Sequence, residues 1–207
     1  MQARRGDWFE GWRLFTLLTL ILTGLCVWIA GMRGFEVEGV RTVARFTARS
    51  SLLLFCLAFS AAALALVRPN AWTRWLRRNR RQLGVTFAAS HALHAIAIIA
   101  FAMMDPAGFA VATNLASYVF GGIGYAIIIA MAATSFDRSA AAIGPRAWRA
   151  LHLWGGYYLW AQFVVSFGKR IPAMPLYAAF LVPLLVVMAL RLIAMASNAR
   201  RRPISAS

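Results

Sequence analysis

The stretch 83–104, LGVTFAASHALHAIAIIAFAMM, decides the fold. It contains no charged residue, and at ~1.5 Å per residue a helix of this length covers the ~30 Å hydrocarbon core of a bilayer. Five further apolar runs, about 12–32, 46–67, 115–134, 147–167 and 174–196, have the same character. With 61% hydrophobic residues, the chain carries more apolar surface than an ordinary soluble domain can hide. The expectation is an all-α integral membrane protein, a six-transmembrane helix bundle in which residues 1–207 form a single transmembrane domain with no room for a separate soluble unit.

A formal charge of +16 would suggest nucleic acid in a soluble protein, so the distribution of charge decides its meaning. In the six-span arrangement Arg4, Arg5, Arg13, the six arginines of 68–81, Arg138, Arg146, Arg149, Arg191 and Arg200 to Arg202 fall on one side. The opposite side receives Arg33, Arg41, Arg45, Arg49, Lys169 and Arg170. The positive-inside rule then places both termini and the loop 68–82 in the cytoplasm; the membrane expected is a bacterial inner membrane. Anionic lipid head groups are the expected partners of these arginines, and nucleic acid is not.

Loop 68–82, RPNAWTRWLRRNRRQ, combines two tryptophans with six arginines and suits a short surface helix in the head-group zone, as well as a docking face. Asp105-Pro106-Ala107-Gly108 reads as the turn between spans three and four, and Gly144-Pro145 as the start of span five, with Pro at the first helical position. Pro183 is expected to kink span six. Cys26 and Cys56 lie within spans without a CxxC pattern, so they read as apolar filler. The first span sits behind arginines like a signal peptide, but its length and lack of a cleavage sequence suggest that it is retained. Gly121-Gly122-Ile123-Gly124 lies inside a span with no preceding strand, which favours close helix packing over a dinucleotide fingerprint.

All three histidines, His91, His94 and His152, lie within spans three and five. A titratable ring is expensive in hydrocarbon and is by default a functional hypothesis. His91 and His94 sit three apart on adjoining sides of one helix among Ala88, Ser90, Ala92, Ala95 and Ala97. His152 is followed on its face by Gly155 and Gly156, and Gly121 with Gly124 gives span four a similar hollow. Imidazoles on facing helices, small neighbours and a dry surround are what a planar macrocycle needs, so these seven positions are the candidate cofactor site, with His94, His152 and His91 as metal ligands of a b-type haem. The other reading is that the histidines bond to neighbouring helices or water. No Asp or Glu stands within the spans as a proton relay, which disfavours a pump or ion-coupled carrier.

Arg41 to Phe55 (RTVARFTARSSLLLF), Arg80-Arg81-Gln82-Leu83-Gly84 leading through Phe87 to His91 and His94, and Trp148-Arg149-Ala150-Leu151-His152 followed by Tyr157-Tyr158 resemble the ferric reductase-like transmembrane domain. That family includes the haem subunit of the periplasmic methionine sulfoxide reductase system and the membrane part of NADPH oxidases. The resemblance covers roughly 40–168 and implies a six-helix bundle that holds b haem, one or two, through histidines of the third and fifth helices and moves electrons across the membrane. Position by position, His94 matches the third-helix ligand and His152 the first fifth-helix ligand. The family's second fifth-helix histidine has no counterpart, because Val164, Val165 and Ser166 occupy that region.

Depth leaves the pairing of the histidines open. Counted from Arg81, His91 lies ~15 Å into the bilayer, whereas His152 lies ~5 Å in from Arg149. His91 with His152 has the smaller offset, while the resemblance favours His94. Arg45 and Arg49 could receive haem propionates or an anion but more readily snorkel to lipid phosphate, and Met103, Met104, Met131 and Met174 serve as ligands or as gap-fillers. The expected function is a membrane electron-transfer haem protein, an oxidoreductase subunit at most, since 207 residues leave no space for a flavin or NAD(P)H domain. Its donor would be quinol or a separate reductase and its acceptor a periplasmic or membrane partner. The alternative is a haem-free family member acting as a structural or accessory subunit.

Overall fold

The computed structural model describes residues 9–201; Arg4, Arg5, Arg202 and both termini, whose side of the membrane was at issue above, lie outside them. The described chain is helical throughout: α1 (Gly11–Gly31), α2 (Val37–Val67), α3 (Ala71–Arg78), α4 (Arg80–Met104), α5 (Pro106–Ala112), α6 (Leu115–Ala133), α7 (Asp137–Gly168) and α8 (Ala178–Arg201), the last entered through a 3-10 turn at Pro175–Tyr177. Five helices, namely α1, α2, α4, α6 and the stretch Pro175–Arg200, are long and apolar enough to cross a membrane. Their outward faces carry bare apolar side chains such as Leu20, Ile96, Ile99, Leu115 and Val182. Water would penalise such an exterior and lipid does not, so this is a multi-pass membrane protein.

The boundaries differ from the sequence expectation where polar residues precede an apolar run. The second helix begins nine residues before position 46, because Glu38 bonds Arg45 (2.8 Å) and lies near Arg41 (3.9 Å), so the charged turns are helical rather than an outer loop. The turn expected at Asp105 is the start of α5: Pro106 opens the helix and the Asp105 carboxylate accepts from the Gly108 amide at 2.9 Å. Gly144-Pro145, expected to start span five, is instead a break inside α7, with Gly144 at φ 78° and ψ 162° and a further helical segment from Asp137 before it. A left-handed φ of this size is one that glycine alone adopts without strain. The loop 68–82 does contain a short helix, α3, closed by a capping box between Asn70 and Thr73.

The central rod is α2, which packs on α1, α3, α4 and α8. Of its apolar window 44% is buried, against 11% for α1 and α6. Its contact with α4 is a seam of small polar groups: Thr47, Ser51, Thr86 and Ser90 are fully buried, and the Ser90 hydroxyl lies 3.0 Å from those of both Ser50 and Ser51. Small side chains allow close backbone approach, and hydroxyl pairs replace the water that lipid lacks. Phe55, Phe59, Phe87 and Phe163 pack together beside the seam. Cys26 and Cys56 are buried and free, as filler should be.

One end of the bundle is tied together by its polar connections. The buried Asn79 accepts from the Gly11 amide at 2.8 Å, Trp75 donates to the Phe9 carbonyl at 2.8 Å, and Arg78 pairs with Glu10. Arg81 pairs with Asp137, and Trp12 stacks on Phe136 with 5.4 Å between centroids. The starts of α1, α4 and α7 therefore meet at the same end. Arg191, counted among the arginines of the cytoplasmic side, turns inward: its guanidinium lies 4.0 Å from the Phe59 ring and donates to the Phe59 carbonyl at 3.0 Å. No acid is within its reach among the described residues, so a cation–π contact stands in for a counter-ion.

A Cβ added at Gly156 would come within 2.8 Å of the Phe59 ring, whereas one added at Gly121 meets open space. Gly156→Leu is expected to destabilise the bundle by about 1–3 kcal/mol through overpacking. Gly121→Ala should leave it unchanged or slightly firmer, and thermal unfolding in detergent compares the two.

Candidate functional site

The three histidines occupy two separate places. His91 and His94 project from α4 with ring centroids 5.2 Å apart, and His91 also faces Tyr125 of α6 at 5.0 Å, Phe87 at 5.6 Å and Phe163 of α7 at 6.2 Å. His152 lies elsewhere, stacked on Trp148 at 4.4 Å. It opens onto a cavity whose lining includes neither α4 imidazole.

The hydrogen bonds assign two of the three rings their tautomers. His94 Nδ1 lies 2.9 Å from the Ala44 carbonyl, which can only accept, so Nδ1 carries the proton. Thr47 Oγ1 sits 3.1 Å from the same nitrogen and already donates to the Val43 carbonyl at 2.8 Å, so it too accepts from Nδ1. Neutral His94 thus keeps its lone pair on Nε2. A backbone carbonyl that fixes the distal nitrogen is the usual second partner of a metal-ligating imidazole.

His152 is the converse case. Thr134 Oγ1 spends its proton on the Ala130 carbonyl at 2.7 Å, so the 3.2 Å contact with His152 Nε2 is a donation from that nitrogen to the hydroxyl. Trp148 braces the pair by donating to the Thr134 carbonyl at 3.0 Å. His91 has no such arrangement: its Nδ1 is sealed from solvent without a partner, and so is the hydroxyl of Tyr125 beside it. Two orphaned polar atoms side by side among aromatic rings mark a place where a ligand or water would be stabilised.

The glycine hollows differ from the sequence expectation. Gly155 is closed by Met131 Sδ and Ile127, both within 3 Å of a would-be Cβ, and Gly156 by Phe59. Gly124 is buried against Tyr158 and Leu159 at about van der Waals distance, while Gly121 faces open space. On α7 the glycines therefore serve helix packing, with α6 and α2 side chains filling the room they leave. Met131 is the plug at Gly155, and Met103 and Met174 are exposed. Arg49 stacks over Phe180 at 5.3 Å and Tyr177 at 5.7 Å.

The cavity at His152 has a volume of about 340 Å³ and two contrasting ends. Arg77, Arg78, Arg80 and Arg81 rim it together with Thr134 and Ser135; Phe55, Phe59, Phe87, Ile128 and Leu159 wall its interior. The Arg81 guanidinium holds the exposed Asp137 carboxyl below its ordinary range. Sequence reading missed Tyr125, Thr47, Thr134 and the convergence of these arginines. Thr47 and Thr134 stand on the same kind of apolar helix as the histidines, but the elements that bring them together are far apart in the chain. No group of three or more metal-binding side chains forms among the described residues.

Comparison of the chain with protein-family models, curated proteins and solved structures finds no match.

Thr134→Val removes the acceptor of the His152 Nε2–H found among the described residues and should cost about 1 kcal/mol, the net worth of one hydrogen bond at a half-buried ring that faces a cavity. Thr134→Ser, which keeps the oxygen, should cost less than half as much; thermal unfolding in detergent measures both.

Proposed function

We propose that the chain is a bacterial inner-membrane b-type haem protein of the ferric reductase-like class, passing electrons between a quinol or reductase donor and a periplasmic or membrane acceptor. In this reading α7 from Pro145 onward is span five, which joins the five apolar helices to make six, ~36 Å long at ~1.5 Å per residue, and both termini and α3 face the cytoplasm. The clustering of the starts of α1, α4 and α7 at the arginine-rich end supports that orientation.

The observation that carries the reading is the His94 Nδ1 bond to the Ala44 carbonyl. It presents Nε2 as a ready ligand, and the unpartnered His91 Nδ1 and Tyr125 hydroxyl supply polar contacts that protein alone does not use. The donor set therefore suits haem on the α4 side. His94 would hold the iron, with His91 and Tyr125 lining its surround. His152 would join only by giving up Thr134. When bound, a b-type haem supplies a one-electron couple in a dry environment. The chain's part is to orient His94 through Ala44 and Thr47, to exclude water with Phe87 and Phe163, and to keep the surround free of acids.

A second reading, a haem-free accessory subunit, is favoured by the filled hollows at Gly155 and Gly156. The visible spectrum of the purified chain separates the two. The haem reading expects a dithionite-reduced b-type band that His94→Ala abolishes while far-ultraviolet circular dichroism stays helical. A colourless, fully helical wild type leaves the accessory reading.

A further inference from the structure

The arginine-rimmed cavity at the α3 end has a chemistry that the haem reading does not use. Of its four arginines, Arg78 pairs with Glu10 and Arg81 with Asp137. Arg77 and Arg80 have no carboxylate partner among the described residues. Arg80 also lies within electrostatic reach of Arg191 and of His152, so positive groups converge there without a matching acid. Like charges gathered at the mouth of an apolar recess repel one another unless an anion enters. Thr134, Ser135 and His152 add neutral polar groups at the same mouth. Behind them the walls are phenyl rings and aliphatic chains, which a small hydrated anion does not need and an acyl chain does.

We propose that this cavity is a specific site for an acidic phospholipid, with its phosphate between Arg77 and Arg80 and the upper part of one acyl chain against Phe55, Phe59 and Phe87. The occupant's phosphate could equally come from a soluble phosphate ester, but the apolar interior selects the lipid. The bound lipid neutralises Arg77 and Arg80 and bridges α3 and α4 to the α2 and α6 walls of the recess. The site does not rest on the haem reading.

The test uses the full chain purified in mild detergent, with phosphatidylglycerol as the probe and co-purifying lipid and haem measured on the same samples. Arg77→Gln with Arg80→Gln should lower retained phosphatidylglycerol roughly fivefold per arginine removed. Arg138→Gln with Arg146→Gln, outside the cavity, should change it little. Gly84 lines the cavity and a Cβ there meets nothing within 4 Å, so Gly84→Phe starts its side chain in open space, puts a ring into the cavity and should displace the lipid with every arginine intact. Added phosphatidylglycerol should raise the thermal midpoint of wild type but not of Gly84→Phe, whereas phosphatidylcholine should raise neither. Equal losses in the cavity and control pairs, a full stabilising effect from inorganic phosphate alone, or loss of haem in place of lipid in the cavity variants would each overturn the proposal.

Discussion

The seam between α2 and α4 is the contact on which the rest of the bundle depends. In lipid, helices gain nothing by hiding apolar faces from one another, so association rests on close packing and on polar groups that find partners. Thr47, Ser50, Ser51 and Ser90 meet both conditions: they are small, and their hydroxyls are satisfied within the pair of helices. The same seam sets the rotation of α4, and thereby delivers His94 to the Ala44 carbonyl and His91 to Tyr125. A structural requirement of α2 thus determines which imidazole nitrogen is left available.

The histidines illustrate how a hydrogen bond apportions chemistry among identical side chains. His94 is oriented by a backbone acceptor and keeps a free Nε2, His152 has that nitrogen committed to Thr134, and His91 is left without a partner at Nδ1. Three residues of one kind, in similar apolar runs, therefore differ in what they can do. The arginines divide in the same manner. Arg78 and Arg81 are neutralised by Glu10 and Asp137, Arg49 and Arg191 lie over aromatic rings, and Arg77 with Arg80 remains at the rim of the cavity.

The two α7 glycines were legible as a hollow, but not as one already occupied. Spacing shows that Gly155 and Gly156 share the face of His152; only the packed helices show Met131, Ile127 and Phe59 seated against them. Arg191 shows the same limit. Charge counting put it with the arginines of the cytoplasmic side, and the aromatic rings that draw it inward belong to α2 and α7. A pattern within one helix carries no record of such partners.

Length and hydropathy determined by themselves that the chain is helical and membrane-embedded and roughly where its apolar runs lie, and the Gly144-Pro145 pair marked where a helix had to restart, because each follows from local geometry and the thickness of a bilayer. Tertiary structure alone decided which face of each helix turns inward, which histidine keeps a free nitrogen, and that four arginines from α3 and α4 converge on one cavity. The physical reason is that lipid and protein interior are equally apolar, so the contrast that marks the buried face of a soluble helix is missing here, and only contact between helices supplies it.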